Sequence, residues 1–192
     1  MPITTKRAIF HVICVLSIAI AALFISKTLI LLLLGVATCI FLAFEFLRLK
    51  ISFINSWFLL HFRSLLRETE VSRITGSSYV LIASFIALLA FERDVAVLAL
   101  SFMAVGDAIA TVVGSRIGKT KFLGKTIEGN IACLIFCIAV GFVYFHAGLD
   151  ISLLAILIGA LAATIIQGIT LPINDNLTIP LFSGLVMTLI QL

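Results

Sequence analysis

The chain has 192 residues, of which 62% are hydrophobic and 11% charged, with a formal net charge of +4. A water-soluble domain carries roughly a quarter charged residues, so too few are present to coat a soluble globule, and lipid is the solvent that fits. The positive balance does not point to nucleic acid, because the basic residues flank apolar runs, where membrane topology and anionic headgroups account for them.

A membrane-crossing helix takes about 20 mostly apolar residues. Lys6 and Arg7 precede the first run, 8–25, which is longer than the apolar core of a signal peptide and reads as a retained transmembrane helix. The second run covers 28–49, the third 77–91 and the fourth 95–113. The fifth covers 129–145, the sixth 151–169 and the seventh 178–192. The third is short, with Tyr79 marking its interfacial end. Between the second and third, over 51–72, Ile51, Ile54, Trp57, Phe58, Phe62 and Leu65 recur at three- and four-residue steps opposite Ser52, Asn55, Ser56 and Arg63. That pattern predicts an amphipathic helix lying in the interface, with Trp57 as an anchor, rather than a further span.

Charge fixes the expected orientation. With seven spans, one side receives Lys6, Arg7, Arg48, Lys50, Arg63, Arg67, Arg73, Arg116, Lys119, Lys121 and Lys125, and the other only Lys27 and Arg93. The positive-inside rule places the N-terminus in the cytoplasm and the C-terminus outside. The expected fold is all-α: a polytopic membrane helix bundle of about seven transmembrane helices plus one interfacial helix, forming a single integral-membrane domain over 1–192 in the cell membrane.

Cys14, Cys39, Cys133 and Cys137 lie inside apolar runs. Cys133 and Cys137 share a helix face, but no His stands beside them, and they read as small packing residues. His11, His61 and His146 likewise read as interfacial or packing residues, since no Ser or Cys has a His partner by position.

The polar residues gathered on the cytoplasmic side carry the chemistry. Glu45 lies near the end of the second run, Asp107 near the end of the fourth, Glu128 at the start of the fifth, and Asp175 and Asn176 in a turn over 171–177. A carboxylate at membrane depth is costly unless it faces protein, water or a cation. A salt bridge such as Glu45 with Arg48 is the structural alternative. The densest stretch, 106–130, reads GDAIATVVGSRIGKTKFLGKTIEGN. Small Gly106, Ala108 and Ala110 let other helices approach Asp107, and Gly114, Gly118 and Gly124 suggest a flexible loop. Arg116, Lys119, Lys121 and Lys125 supply positive charge, and Thr126 with the first amides of the next helix offers an anion site. Basic groups beside carboxylates point to a phosphate with a divalent metal. The segment GSRIGKT at 114–120 is not a P-loop: it has three residues between its glycines, and no strand precedes it.

Four pieces in this order resemble the polyprenol/dolichol kinase family, which includes phytol kinases and the CTP-dependent diacylglycerol kinase of yeast. They are Glu45 to Arg48; Leu66 to Glu70 followed by Thr75 and Gly76; Gly106 and Asp107 with Ala110, Gly114, Gly118 and Lys125 to Gly129; and Asn174 to Leu177 with Pro180. The chain is similar to the compact catalytic core of that family. The resemblance implies phosphoryl transfer from a nucleotide, usually CTP, to a membrane lipid alcohol, and a relationship to CTP:phosphatidate cytidylyltransferases. Prenols, phytol and diacylglycerol all present a hydroxyl on an apolar tail, and a pocket of Leu, Ile and Phe fits each.

On this reading Asp107 and Asp175 help bind Mg²⁺ on the nucleotide phosphates, with Glu128 as a third ligand. Lys125 and Arg116 neutralise phosphate charge, assisted by Lys119 or Lys121 and by Thr126. Arg67 and Glu70 organise the cytoplasmic edge, Asn176 positions a ligand or backbone group, and Asp107 or Glu45 accepts the hydroxyl proton. Two other readings remain: a cytidylyltransferase, separated from the kinase by releasing pyrophosphate and a CDP-lipid, and a small membrane transporter. The transporter is disfavoured because no inverted repeat relates the halves and the acids hug one face.

Overall fold

A computed structural model describes residues 3–192, the side chains of residues 3, 4 and 122 excepted. It contains eight α-helices: α1 (Ile3–Phe24), α2 (Lys27–Lys50), α3 (Ser52–Phe62), α4 (Gly76–Ala90), α5 (Arg93–Ile117), α6 (Ile127–His146), α7 (Leu153–Gly168) and α8 (Asp175–Gln191). Helix starts coincide with polar caps. Ser26 accepts from the Leu29 amide, Thr126 from Gly129, Ser152 from Ala155 and Asn174 from Asn176, each satisfying an amide with no partner inside its helix. Each of the seven apolar runs is a helix. Four helices, the segment Thr5–Phe24 of α1 with α2, α5 and α6, are long and apolar enough to cross a membrane. The apolar helices α4 and α7 have 15 and 16 residues and α8 has 17.

Helix α5 is the axis of the bundle, packing against α6, α1, α8, α7 and α4. From Val95 to Ala104 every residue is buried, as expected of a helix enclosed on all sides. By contrast α2 packs on α4 and α3 and leaves Leu32, Val36, Ile40 and Phe46 exposed, an apolar face suited to lipid. The α5–α6 crossing is close because glycines line it. A Cβ at Gly106 would meet the Cys133 and Cys137 sulfurs at 2.9 Å, one at Gly114 the Thr126 hydroxyl at 2.6 Å, and one at Gly129 the Ala110 carbonyl at 2.7 Å. Cys133 and Cys137 thus fill the space that Gly106 opens.

Two expectations change here. Gly114 is helical rather than part of a flexible loop, because α5 runs on to Ile117, held by that close contact with α6. The amphipathic helix expected over 51–72 stops at Phe62 and gives way to two 3₁₀ turns, Arg63–Leu65 and Glu68–Val71. Several backbone groups of the chain that follows are claimed by side chains instead. Arg48 donates to the carbonyls of Glu70, Val71 and Arg73, while the Glu70 carboxylate accepts from the amides of Arg67 and Gly76, both at 2.8 Å. At 11 residues α3 is about 16 Å long, half the thickness of a bilayer core. It buries Phe58 edge-on to Phe44 and exposes Phe53 and Leu60.

Between α5 and α6 a two-stranded hairpin forms, β1 (Lys121–Phe122) antiparallel to β2 (Lys125–Thr126). Leu123 and Gly124 turn it with φ of 50° and 91°, the pair of positive values that a type I′ hairpin loop requires. The Leu123 carbonyl accepts from the amide and hydroxyl of Thr170, tying the hairpin tip to the chain beyond α7.

Candidate functional site

Successive helices bring alternate ends together: the starts of α1, α4, α6 and α8 meet the ends of α2, α5 and α7. Two cavities lie where they converge. The larger, about 520 Å³, is mainly apolar, walled by Phe10, Ile18, Phe41, Phe44, Val80 and Leu81. At its polar end stand Arg7, His11, Arg67, Glu70, Asp107 and Asn176. The smaller, about 340 Å³, is a polar cleft lined by Arg7, Arg67, Asp107, Thr111, Lys125, Thr126, Asn130, Gln167 and Asp175. Arg7, Arg67 and Asp107 line both, so the apolar chamber and the polar cleft share one charged junction.

Asp107 projects from α5 a little past its midpoint, ten residues before its end, and is 6% exposed. Among the described residues it accepts no hydrogen bond and forms no ion pair within 4 Å. A buried carboxylate without partners is costly, and this one faces two cavities. The guanidiniums of Arg7 and Arg67 form no ion pair among the described residues either. Both are free to meet an anion in the cleft. Lys125, on β2, holds Asp175 at 2.7 Å, joining the hairpin to the first turn of α8. Asp175 and Asn176 therefore belong to a helix N-terminus rather than a free turn, Asn174 supplying the cap. The Asn176 amide donates to the Gly76 carbonyl at 3.1 Å, and its Oδ1 is buried with no donor among the described residues.

Glu45 stands apart from both cavities. It is 1% exposed, pairs with Arg48 at 2.8 Å and accepts from the amide and hydroxyl of Thr75. Arg48 is fully buried, bonds Asn55 and three carbonyls, and lies 4.8 Å over the Phe58 ring. Glu45 is thus saturated by groups that hold α2, α4 and the intervening loop together. Glu128 lines neither cavity; its carboxylate accepts from the Thr120 amide. Arg116, Lys119 and Lys121 are exposed and also lie outside both. Of the residues expected at a site, the fold gathers Arg67, Glu70, Asp107, Lys125, Thr126, Asp175 and Asn176.

Arg7, His11, Asn130 and Gln167 line the cavities without having been expected there. Asn130 and Gln167 are polar residues inside apolar runs, a signal that the cost of burying an amide makes informative. Arg7 carried only a topological signal, because nothing local reveals that α1 packs against α5.

The chain is similar to several proteins of known sequence. It is 28% identical over 182 residues to an uncharacterised protein of Rickettsia prowazekii, covering 92% of this chain and 89% of that one. It is 27% identical over 136 residues to a probable chloroplastic phytol kinase 1 of Glycine max, covering 62% of this chain and 45% of that protein. It is 30% identical over 145 residues to a probable chloroplastic phytol kinase of Triticum aestivum, covering 67% and 48%. These matches span about half the length of the two plant proteins, which support a phytol-kinase-like family. No family model matches the chain, and no solved structure matches it.

Proposed function

We propose that this chain is a membrane lipid-alcohol kinase that transfers the terminal phosphoryl group of a nucleotide, CTP by the family resemblance, to the hydroxyl of a phytol- or prenol-type lipid. The observation that carries this reading is the junction of the two cavities at Arg7, Arg67 and Asp107. A lipid alcohol is a long apolar body with one reactive hydroxyl; a nucleotide is polar and anionic. A chamber for the first and a cleft for the second, meeting at an unpartnered carboxylate, is the arrangement this reaction requires. The similarity to proteins named phytol kinase supports the same reading.

In this mechanism the apolar chamber takes the tail and leaves the hydroxyl beside Asp107. Arg7, Arg67 and Lys125 bind the phosphates and offset the charge that builds on the transferring group. The hydroxyl oxygen bonds to the terminal phosphorus, the bond from that phosphorus to the bridging oxygen breaks, the nucleoside diphosphate leaves, and the hydroxyl proton passes to Asp107. Asp107 takes this role rather than Glu45, whose oxygens are already occupied. The donor set also suits Mg²⁺, which typically takes one or two carboxylates with substrate phosphates: Asp175 and Asp107 line the cleft, and no three His, Cys, Asp or Glu converge among the described residues. When bound, the metal would neutralise phosphate charge. The proposed orientation has α1, α2 and α4 to α8 as spans and α3 in the interface, with eleven of the 13 basic residues on the cytoplasmic side.

The test is transfer itself. Purified protein in lipid nanodiscs, given γ-labelled CTP or ATP, Mg²⁺ and separate samples of phytol, a polyprenol and diacylglycerol, should yield a labelled lipid phosphate. Label carried into lipid from the α-position, with pyrophosphate released, would instead establish cytidylyl transfer. No labelled lipid with any acceptor would reject both.

A further inference from the structure

The polar cleft holds oxygen acceptors that the protein leaves unused. Gln167, at the end of α7, is 2% exposed, lines the cleft, and has no donor for its Oε1 among the described residues. Asn130, on the first turn of α6, lines the same cleft, and its Oδ1 is also buried without a donor. The two belong to one patch: a Cβ on Gly168, next to Gln167, would run into the Asn130 side-chain amide. Asp107 is the third acceptor group without a partner. Leaving the two buried amide oxygens unsatisfied costs about 1–3 kcal/mol each, so their presence beside Asp107 in one cleft calls for a shared ligand.

Basic groups of the protein do not fill that need: neither amide oxygen has a donor among the described residues, and Lys125 is engaged by Asp175. A nucleobase amino group would satisfy one acceptor. A hard divalent cation, which surrounds itself with oxygens from carboxylates, amides, water and phosphates, satisfies all of them. We propose that the side-chain oxygens of Gln167 and Asn130 are neutral ligands of a divalent cation in the polar cleft, completing a set whose charged members are Asp107 and Asp175. The inference rests on the nucleotide-cleft reading and assigns the cation half its protein ligands from residues outside the four pieces that carry the family resemblance. Neutral ligands keep the site's charge low, so the cation binds firmly only when nucleotide phosphates supply further negative oxygens.

Mn²⁺ serves as the probe, its binding to the detergent-solubilised full chain read by electron paramagnetic resonance with and without a non-hydrolysable CTP analogue. Wild-type protein should bind Mn²⁺ more tightly with the analogue. Gln167→Leu should weaken that binding about tenfold or more, while Gln167→Glu should restore or exceed it and reduce its dependence on the analogue. Asn130→Ala should weaken it in the same direction. Should Gln167→Leu fail to fold, Gln167→Glu and Asn130→Ala decide together, because an added charge alone tightens Mn²⁺ without making its binding depend on Asn130. Unchanged Mn²⁺ binding in Gln167→Glu, or none in wild type under either condition, overturns the inference and leaves the kinase reading to its own assay. Gln167-dependent Mn²⁺ binding in a protein that phosphorylates no lipid would uphold the cation site and reject the kinase.

Discussion

Glu45 and Asp107 are both buried acids near the same end of one bundle, yet they have opposite surroundings. Glu45 is met by Arg48 and by both donors of Thr75, and its neighbourhood is closed. Asp107 has cations nearby but none in contact, and it opens on two cavities. Depth and sequence context are alike for the two; the difference lies in whether the fold itself supplies the partners. Glu45 ties elements of the fold together, whereas Asp107 is left open to the cavities, where the proposed reaction would use it.

Substitution can sharpen or break this contrast. The largest effect on turnover should come from Asp107→Asn, which lowers kcat about 10²- to 10⁴-fold and leaves the thermal unfolding midpoint in detergent unchanged or higher, because it removes an uncompensated charge. Glu45→Gln should do the reverse: breaking a buried pair that leaves Arg48 uncompensated costs about 3–5 kcal/mol of stability, read as an early melt, with little change in kcat for the protein still folded. Equal loss of turnover in both variants at equal stability would abolish the distinction. Lys125→Ala should raise the nucleotide KM about tenfold, the value of roughly one charge-assisted hydrogen bond, with a smaller change in the lipid KM. The smallest effect belongs to Lys119→Ala with Lys121→Ala. Both side chains are exposed and outside the cavities, so stability should move within about 0.5 kcal/mol and the nucleotide KM should hardly change.

The helices were legible because apolar runs and polar caps are local signals. Ser26, Ser152 and Asn174 stand at boundaries for reasons visible in a few residues. The path of α5 past Gly114 was not, since a glycine-rich, basic stretch reads as loop until α6 is seen packed on it at Thr126 and Gly129. The truncation of the interfacial helix at Phe62 was hidden for a similar reason: Arg48, many residues earlier, holds the carbonyls of Glu70, Val71 and Arg73 in the chain that follows it. At the site, Asp107, Lys125 and Asp175 were legible as charges in apolar surroundings. Their roles were harder to separate from that of Glu45, because a sequence shows that a buried acid needs a partner without showing whether it has one. Asn130 and Gln167 were within reach of the same reasoning, but uncharged amides in apolar runs attract less notice than acids.

The convergence of seven helix ends makes the bundle a set of rulers. Each helix delivers its functional side chain through its distance from the far end, where short turns such as Ala147–Ser152 fix the count. One alanine inserted between Val97 and Gly106 would turn Asp107 by about 100° and advance it about 1.5 Å, aiming the carboxylate into protein while preserving every residue of the site. The same insertion in the far turn would shift no such side chain within its own helix. Activity should therefore depend on helix length as a reading frame, tolerant of inserted residues at the far turns and intolerant of them along the central helix.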